Sequence, residues 1–505
     1  METRVWMTAL MLGGYAAVLL GLAVRAARRT RSLAEYAIGS EGFPPVAVGL
    51  SLAASITSAA TFIINPGFVA LYGWSAFLAM SVVLPLGLVG SLIVLTRSFR
   101  RYGAQVKALT LAQWMYKRYN SAALGSWFAA LSLLLLTFVV LICVGLTKVI
   151  ASALGTAELP VLVGLVLFVF GYMMWGGANS MVYTNAIQAG LMLVVAVLML
   201  SSGWSHWAEG WGAFWAKIAA IDPLLTAPTN PKSALFRDWF EVAFCNFIIG
   251  VAVVCQPHIV TRSLLLRDER DVGHYLFVGI AAELVFFAVL FTGFYARLAF
   301  PDLRGPNGVP LPMDGIIPAY VVSVFPVGAG LLVVLGLLSA GLSTLEGLIQ
   351  SLSTTLTLDL IGPLLGRRRV LTDVQQAWLH RMVIGLLAVG AITWSHQQLL
   401  HPNLSVGILA QNGVYAFFSA AFMPVLLGIF FSKTPLQAVW AASVTAVVVH
   451  FSVYYGALTP YTSGAVRNPA VAAALAVVCS VVVGIGVAWW KTGALPFAPK
   501  TTRNL

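Results

Sequence analysis

The sequence predicts an all-α polytopic membrane protein with about thirteen transmembrane helices. Three observations carry that prediction. Of 505 residues, 60% are hydrophobic and 9% are charged, against roughly 25% charged in soluble domains. Apolar runs of the roughly 17 to 25 residues needed to cross a bilayer recur along the whole chain. Most basic residues stand in the short connections between those runs rather than on any soluble face.

The apolar runs fall near 6–25, 43–71, 75–96, 123–154, 160–176, 184–204, 237–261, 274–299, 318–361, 380–399, 404–431, 435–457 and 468–490. Several exceed the bilayer's thickness, so tilt or breaks are expected. The first is read as a retained span, because its positive charges follow the apolar run, opposite to the order in a signal peptide. Placing residue 1 outside puts 21 of the 29 Lys and Arg in inside connections, among them Arg25, Arg28, Arg29 and Arg31, Arg262, Arg267 and Arg270, Arg367 to Arg369, and Lys500 and Arg503. That asymmetry predicts an outside N-terminus and a cytoplasmic C-terminus, in the inner membrane. The net charge of +12 therefore implies no nucleic-acid partner; the partners are the lipid bilayer and small molecules. Cys143, Cys245, Cys255 and Cys479 show no metal spacing and read as packing residues. The sequence sets no oligomeric state.

Between the spans, TLAQWMYKRYN and SLLLRDERDVGHY read as amphipathic elbows, and Trp204, Trp207, Trp211 and Trp215 as an interfacial helix. Residues 1–505 read as one transmembrane domain: 1–36 an extra first helix and loop, 43–204 and 237–431 two five-span units, 435–490 two further helices, and 491–505 a cytoplasmic tail. The two units run in opposed directions, which permits an inverted repeat around a midplane site.

The second span, SLAASITSAATFIINPGFVALYG, is polar where an anchor would be aliphatic. Pro66 lacks an amide hydrogen and Gly67 loosens the chain, so the helix is expected to break there, with Ser51, Ser55, Thr57, Ser58 and Thr61 beside freed carbonyls. The ninth span carries Ala340, Ser343, Thr344 and Gly347 at i, i+3, i+4 and i+7, one small, hydroxyl-bearing face. Oxygen donors of that kind suit a hard cation such as sodium; small-residue helix packing accounts for Ala and Gly equally well. Glu346, ionisable and deep in that span, must face a cavity, pair, or bind a cation or proton.

These residues, with GYMMWGGANSMVYTNAIQ at 171–188, QPHIVTR at 256–262 and AGLST followed by STTLTLDL, resemble the sodium/solute symporter family over nearly the whole chain. The resemblance is strongest to its pantothenate and monocarboxylate branch. It implies a LeuT-type 5+5 inverted-repeat core with one extra helix before it and two after it. It implies sodium as coupling ion, no organic cofactor and no enzymatic activity. By position, the sodium ligands are carbonyls of Ala54, Thr57 and Ala340 and hydroxyls of Ser343 and Thr344. Members with a second sodium site carry Thr-Asp where this chain has Thr184-Asn185, and a small polar residue where it has Glu346. This departure from the family pattern, an acid lost from one wall and gained on the facing one, points to a second cation or proton site around Asn185, Ser343, Glu346 and Gly347.

The implied solute is a small organic acid, a monocarboxylate or a pantothenate-like molecule, held by Ser58, Thr61 and Gln411 and bordered by Ile249 and Ala252. The sugar carriers present polar groups at those last two positions, and here sugar hydroxyls would go unpaired at about 1–3 kcal/mol each. The alternatives are a proline-type amino-acid symporter, a proton-coupled variant using Glu346 and, remotely, a membrane sensor.

Overall fold

The computed structural model describes residues 2–28, 30, 32–39, 42–305, 308–365, 372–401, 406–431 and 433–493. Arg29, Arg31, Arg367 to Arg369, Lys500 and Arg503 of the basic connections lie outside them. Among the described residues, ten helices are each long and apolar enough to cross a bilayer, and two bent helix pairs make it twelve. One of the ten, Glu158–Ser201, has 44 residues, about 66 Å at 1.5 Å per residue and twice the roughly 30 Å hydrocarbon core. Its backbone leaves the helix at Gly177, at φ 55° and ψ −149°, a conformation essentially reserved for glycine. Counted as two crossings, it accounts for the runs at 160–176 and 184–204 and brings the spans to thirteen.

Local chemistry sets the ends of the helices. Thr110 caps Leu111–Tyr119 by accepting from the Gln113 amide, and Asn120 closes the same helix in the left-handed region, at φ 49° and ψ 44°. The TLAQWMYKRYN elbow is therefore a helix bounded by its own first and last polar residues. Asp268 and Asp271 form a reciprocal capping box at the start of Glu269–Asp271. Arg101 pairs with Glu269 at 2.6 Å, joining the third span to this second elbow.

The tryptophan-rich segment forms a 3-10 turn over Trp204–Trp207 and a helix over Trp211–Ile221. Trp204 and Trp211 are exposed, but Phe214 is fully buried. Trp207 stacks on Phe214 with ring centroids 4.1 Å apart and donates to the Tyr295 hydroxyl at 3.1 Å. With Trp215 and Phe291 they form a cap of interlocked rings that also takes in Trp74, 5.4 Å from Trp215.

The two bent pairs position the site. The first broken span, second along the chain, consists of Pro45–Ile56 and Ala60–Tyr72 at 58°, and the second broken span of Phe240–Val253 and Pro257–Leu265 at 57°. Pro257 opens its helix at the first turn, where its missing amide is not needed. The half Pro45–Ile56 is packed among Glu158–Ser201, Val272–Ala288 and Val327–Thr355, which places its break in the middle of the protein.

Pro66 and Gly67 do not make the break. The non-helical residues are Thr57 and Ser58, while Pro66 sits in the first turn of Asn65–Tyr72. The preceding π-turn, Ala60–Ile64, carries the Asn65 amide to the Ala60 carbonyl, so the wider turn absorbs the missing proline donor. Gly67 instead permits close packing: a Cβ there would lie 2.7 Å from the Met313 carbonyl.

Candidate cation site

In an unbroken helix the Ala54 carbonyl would accept from the Ser58 amide and that of Thr57 from the Thr61 amide. The interruption releases both, the Thr61 amide bonding the Ser58 carbonyl at 3.0 Å instead. Ser58 turns its hydroxyl to the Ala60 amide, starting the second half. Carbonyls freed inside a membrane protein need polar partners, and the Val327–Thr355 helix supplies them. Ser343 Oγ donates to the Ala54 carbonyl at 2.7 Å, and Thr344 Oγ1 lies 3.2 Å from the Thr57 carbonyl and 3.5 Å from that of Ala54. Both hydroxyls also lie 3.1–3.2 Å from the Ala340 carbonyl. The five expected sodium ligands, Ala54, Thr57, Ala340, Ser343 and Thr344, are thus brought into one buried cluster of three carbonyls and two hydroxyls. All are neutral oxygens, the donor chemistry a hard monovalent cation takes.

Asn185, Glu346 and Gly347 also converge, but around a cation the chain itself provides, whereas the Ser343 hydroxyl is not among them and goes to the Ala54 and Ala340 carbonyls. Arg262, counted above among loop charges, is 2% exposed. Its Nη1 donates to Ser51 Oγ at 2.9 Å, its Nε to the His258 carbonyl at 3.1 Å, and its Nη2 to Ser55 Oγ. Nη2 would be 2.9 Å from a Cβ at Gly347, so the glycine makes room for the guanidinium. The Glu346 carboxylate accepts from Tyr172 at 2.6 Å, Thr184 at 2.5 Å and Gln188 at 3.2 Å. Asn185 joins the two charges. In the orientation that satisfies both amide ends, its oxygen accepts from Arg262 Nη2 and its nitrogen donates to Glu346 Oε2, each at 3.2 Å.

Of the residues named for the solute, Ser58, Thr61, Ile249 and Ala252 are buried, and Gln411 is partly exposed on Val406–Phe430, which packs against the Ile249 and Ala252 helix. The reading from sequence missed Arg262, Tyr172, Gln188 and a second mid-span carboxylate, Glu283. Glu283 is 2% exposed and accepts from Thr57 Oγ1 at 2.9 Å. The rule that singled out Glu346, an ionisable residue deep within a span, applies to it equally.

A break in one span facing hydroxyls on another, inside an all-helical bundle, is the architecture of a membrane carrier. A sequence model of the sodium:solute symporter family matches residues 36–445, and the chain belongs to that family. It is 27% identical over 458 residues to the sodium/pantothenate symporter of Escherichia coli K12, covering 87% of this chain and 89% of that one. It is 23% identical over 456 residues to the sodium/glucose cotransporter of Vibrio parahaemolyticus, covering 83% and 80%. Its fold is that of a Na+-coupled sialic acid symporter in an outward-open state, with a TM-score of 0.75, 18% identity, and coverage of 97% and 98%. These relatives are transporters, not enzymes.

Proposed function

We propose that the chain imports a small organic acid together with sodium by alternating access, the ion seated on Ala54, Thr57, Ala340, Ser343 and Thr344. The convergence of those five oxygens on the broken span carries the reading. Without an ion, the two hydroxyls tie the freed carbonyls to the Val327–Thr355 helix; with one, the same oxygens turn their lone pairs to the cation. Ion occupancy thereby sets how the halves of the broken span stand against that helix. Sodium entry down 100 mV releases about 2.3 kcal/mol per charge, enough to concentrate solute many-fold.

The N-terminus lies outside and the C-terminus in the cytoplasm, in the cell membrane. Residues 43–204 and 237–431 act as opposed repeats. The pantothenate symporter relative and the apolar Ile249 and Ala252 support a pantothenate-like or monocarboxylate solute held near Ser58, Thr61 and Gln411. Coupling uses a single sodium, because the Arg262 guanidinium already supplies the positive charge bridged to Glu346, where a second cation or a transported proton would otherwise serve.

Uptake into proteoliposomes of pantothenate, lactate, pyruvate, acetate, proline and glucose, with and without a sodium gradient, tests the reading. Sodium-dependent uptake of an acid is expected, abolished or displaced to far higher sodium in Ser343→Ala and Thr344→Ala. Glucose as the main solute, or uptake indifferent to sodium and to both substitutions, refutes it.

A further inference from the structure

Five neutral ligands leave an ion's charge uncompensated in a medium where isolated charge is expensive. Glu346 does not answer that need, since its carboxylate is taken up by three donors and by the Asn185 bridge to Arg262. Glu283 is different. One oxygen accepts from the Thr57 hydroxyl, on the residue whose carbonyl faces Thr344. The other, Oε1, is buried with no hydrogen-bond partner among the described residues.

Among the described residues no basic side chain is bonded to Glu283; Arg270, on Glu269–Asp271, and His274, on its own helix, stand toward the far end, about 13 Å or more away at 1.5 Å per residue. Pro45–Ile56, Ala60–Ile64, Leu78–Val83 and Val289–Phe291, all packed against its helix, carry no ionisable side chain. Leu84–Gln105 carries Arg97, Arg100 and Arg101, but Arg100 donates to the Leu266 carbonyl and Arg101 pairs with Glu269, at the far end of the helix. Asp271, at that same end, is about 18 Å along the helix from Glu283 at 1.5 Å per residue. Glu158–Ser201 contributes Glu158, Tyr172 and Tyr183, of which Tyr172 is committed to Glu346. A buried carboxylate with a free oxygen, one residue from the cation ligands and without a positive partner, is an incomplete ion pair.

We propose that Glu283 is the counter-charge of the bound sodium ion, a positioning residue that acts through Thr57 and sets the affinity for the ion. The inference rests on the cation-site reading above. At an effective dielectric of about 20, a unit charge within several ångströms of an ion changes its affinity by roughly tenfold or more.

Binding of radioactive sodium to the purified full chain, with the sodium concentration for half-maximal uptake in proteoliposomes, tests it. Glu283→Gln keeps an acceptor for the Thr57 hydroxyl and removes only the charge. It is expected to weaken sodium binding ten- to a hundredfold while the maximal uptake rate at saturating sodium stays within about twofold. A residue that merely braced the break would show no such split. Should Glu283→Gln fail to fold, Glu283→Asp and Glu283→Asn, equal in size and different in charge, give the same comparison, with Asp expected to bind at least tenfold more tightly. Sodium binding within twofold of the unaltered chain in Glu283→Gln, or equal binding by Asp and Asn, overturns the proposal. Ser343→Ala, measured alongside, separates the two ideas. If it too leaves sodium binding unchanged, the cation site itself is wrong; if it alone weakens binding, only the role of Glu283 falls.

Discussion

Replacing Arg262 by Met keeps an unbranched apolar stem and removes a charge that three groups and a bridging amide have been arranged to receive. Nη1 and Nη2 bind Ser51 and Ser55 of the first broken span, and Nε binds the His258 carbonyl of the second. The serines retain a fallback, since Ser55 already donates to the Ser51 carbonyl at 2.8 Å. Glu346 has none: Asn185 loses the guanidinium on its oxygen side, and the carboxylate is left in the interior with neutral donors alone. Removing one partner of a buried charge pair costs about 3–5 kcal/mol, and the arrangement here falls in that range. In a chain this long, 1 kcal/mol moves a melting temperature by roughly 1–2 °C, so Arg262→Met is expected to melt about 3–10 °C lower. Glu346→Gln in the same background removes the stranded charge, and the double variant should recover at least ~2 kcal/mol relative to the sum of the singles. Thermal unfolding of the four proteins in one detergent measures the cycle. If Arg262→Met melts within 1 °C of the unaltered chain, or the two losses simply add, the charges are not coupled and the single-sodium argument loses its basis.

Two further substitutions test the backbone. Gly177→Ala forces a side chain into a conformation costing about 1–3 kcal/mol and sets its Cβ 2.5 Å from Tyr36 Cδ2; a clearly lower melting temperature is expected, and an unchanged one would mean the turn is not fixed at that residue. Pro66→Ala should change sodium dependence less than twofold, because the break is at Thr57 and Ser58; a collapse of sodium-driven uptake would restore the proline as its cause.

The hydroxyl face of the ninth span was legible because Ser343 and Thr344 stand out against an aliphatic background at helical spacing, and their carbonyl partners followed from the family resemblance. The place of the break was not, because proline signals equally the interior of a broken helix and the first turn of an intact one, and only the neighbouring π-turn distinguishes them. Arg262 follows an apolar run, which in an unbroken span means a connection; the second bend folds that end back into the bundle and buries it. The helices of Gln411 and Ile249 come together only through the packing of elements far apart in the chain, about which periodicity is silent. Glu283 was readable and overlooked, its lone acidic letter overshadowed by the richer pattern around Glu346.

The ring cap over the 291–295 segment reaches Trp74, the residue after the Gly73 turn that ends the first broken span. On the proposed mechanism, a tilt of the half Ala60–Tyr72 would change the surroundings of the indoles set edge-on at that turn. Intrinsic emission from the unlabelled carrier should therefore shift as the ion binds, giving an optical readout of rocking that needs no engineered cysteine or attached dye.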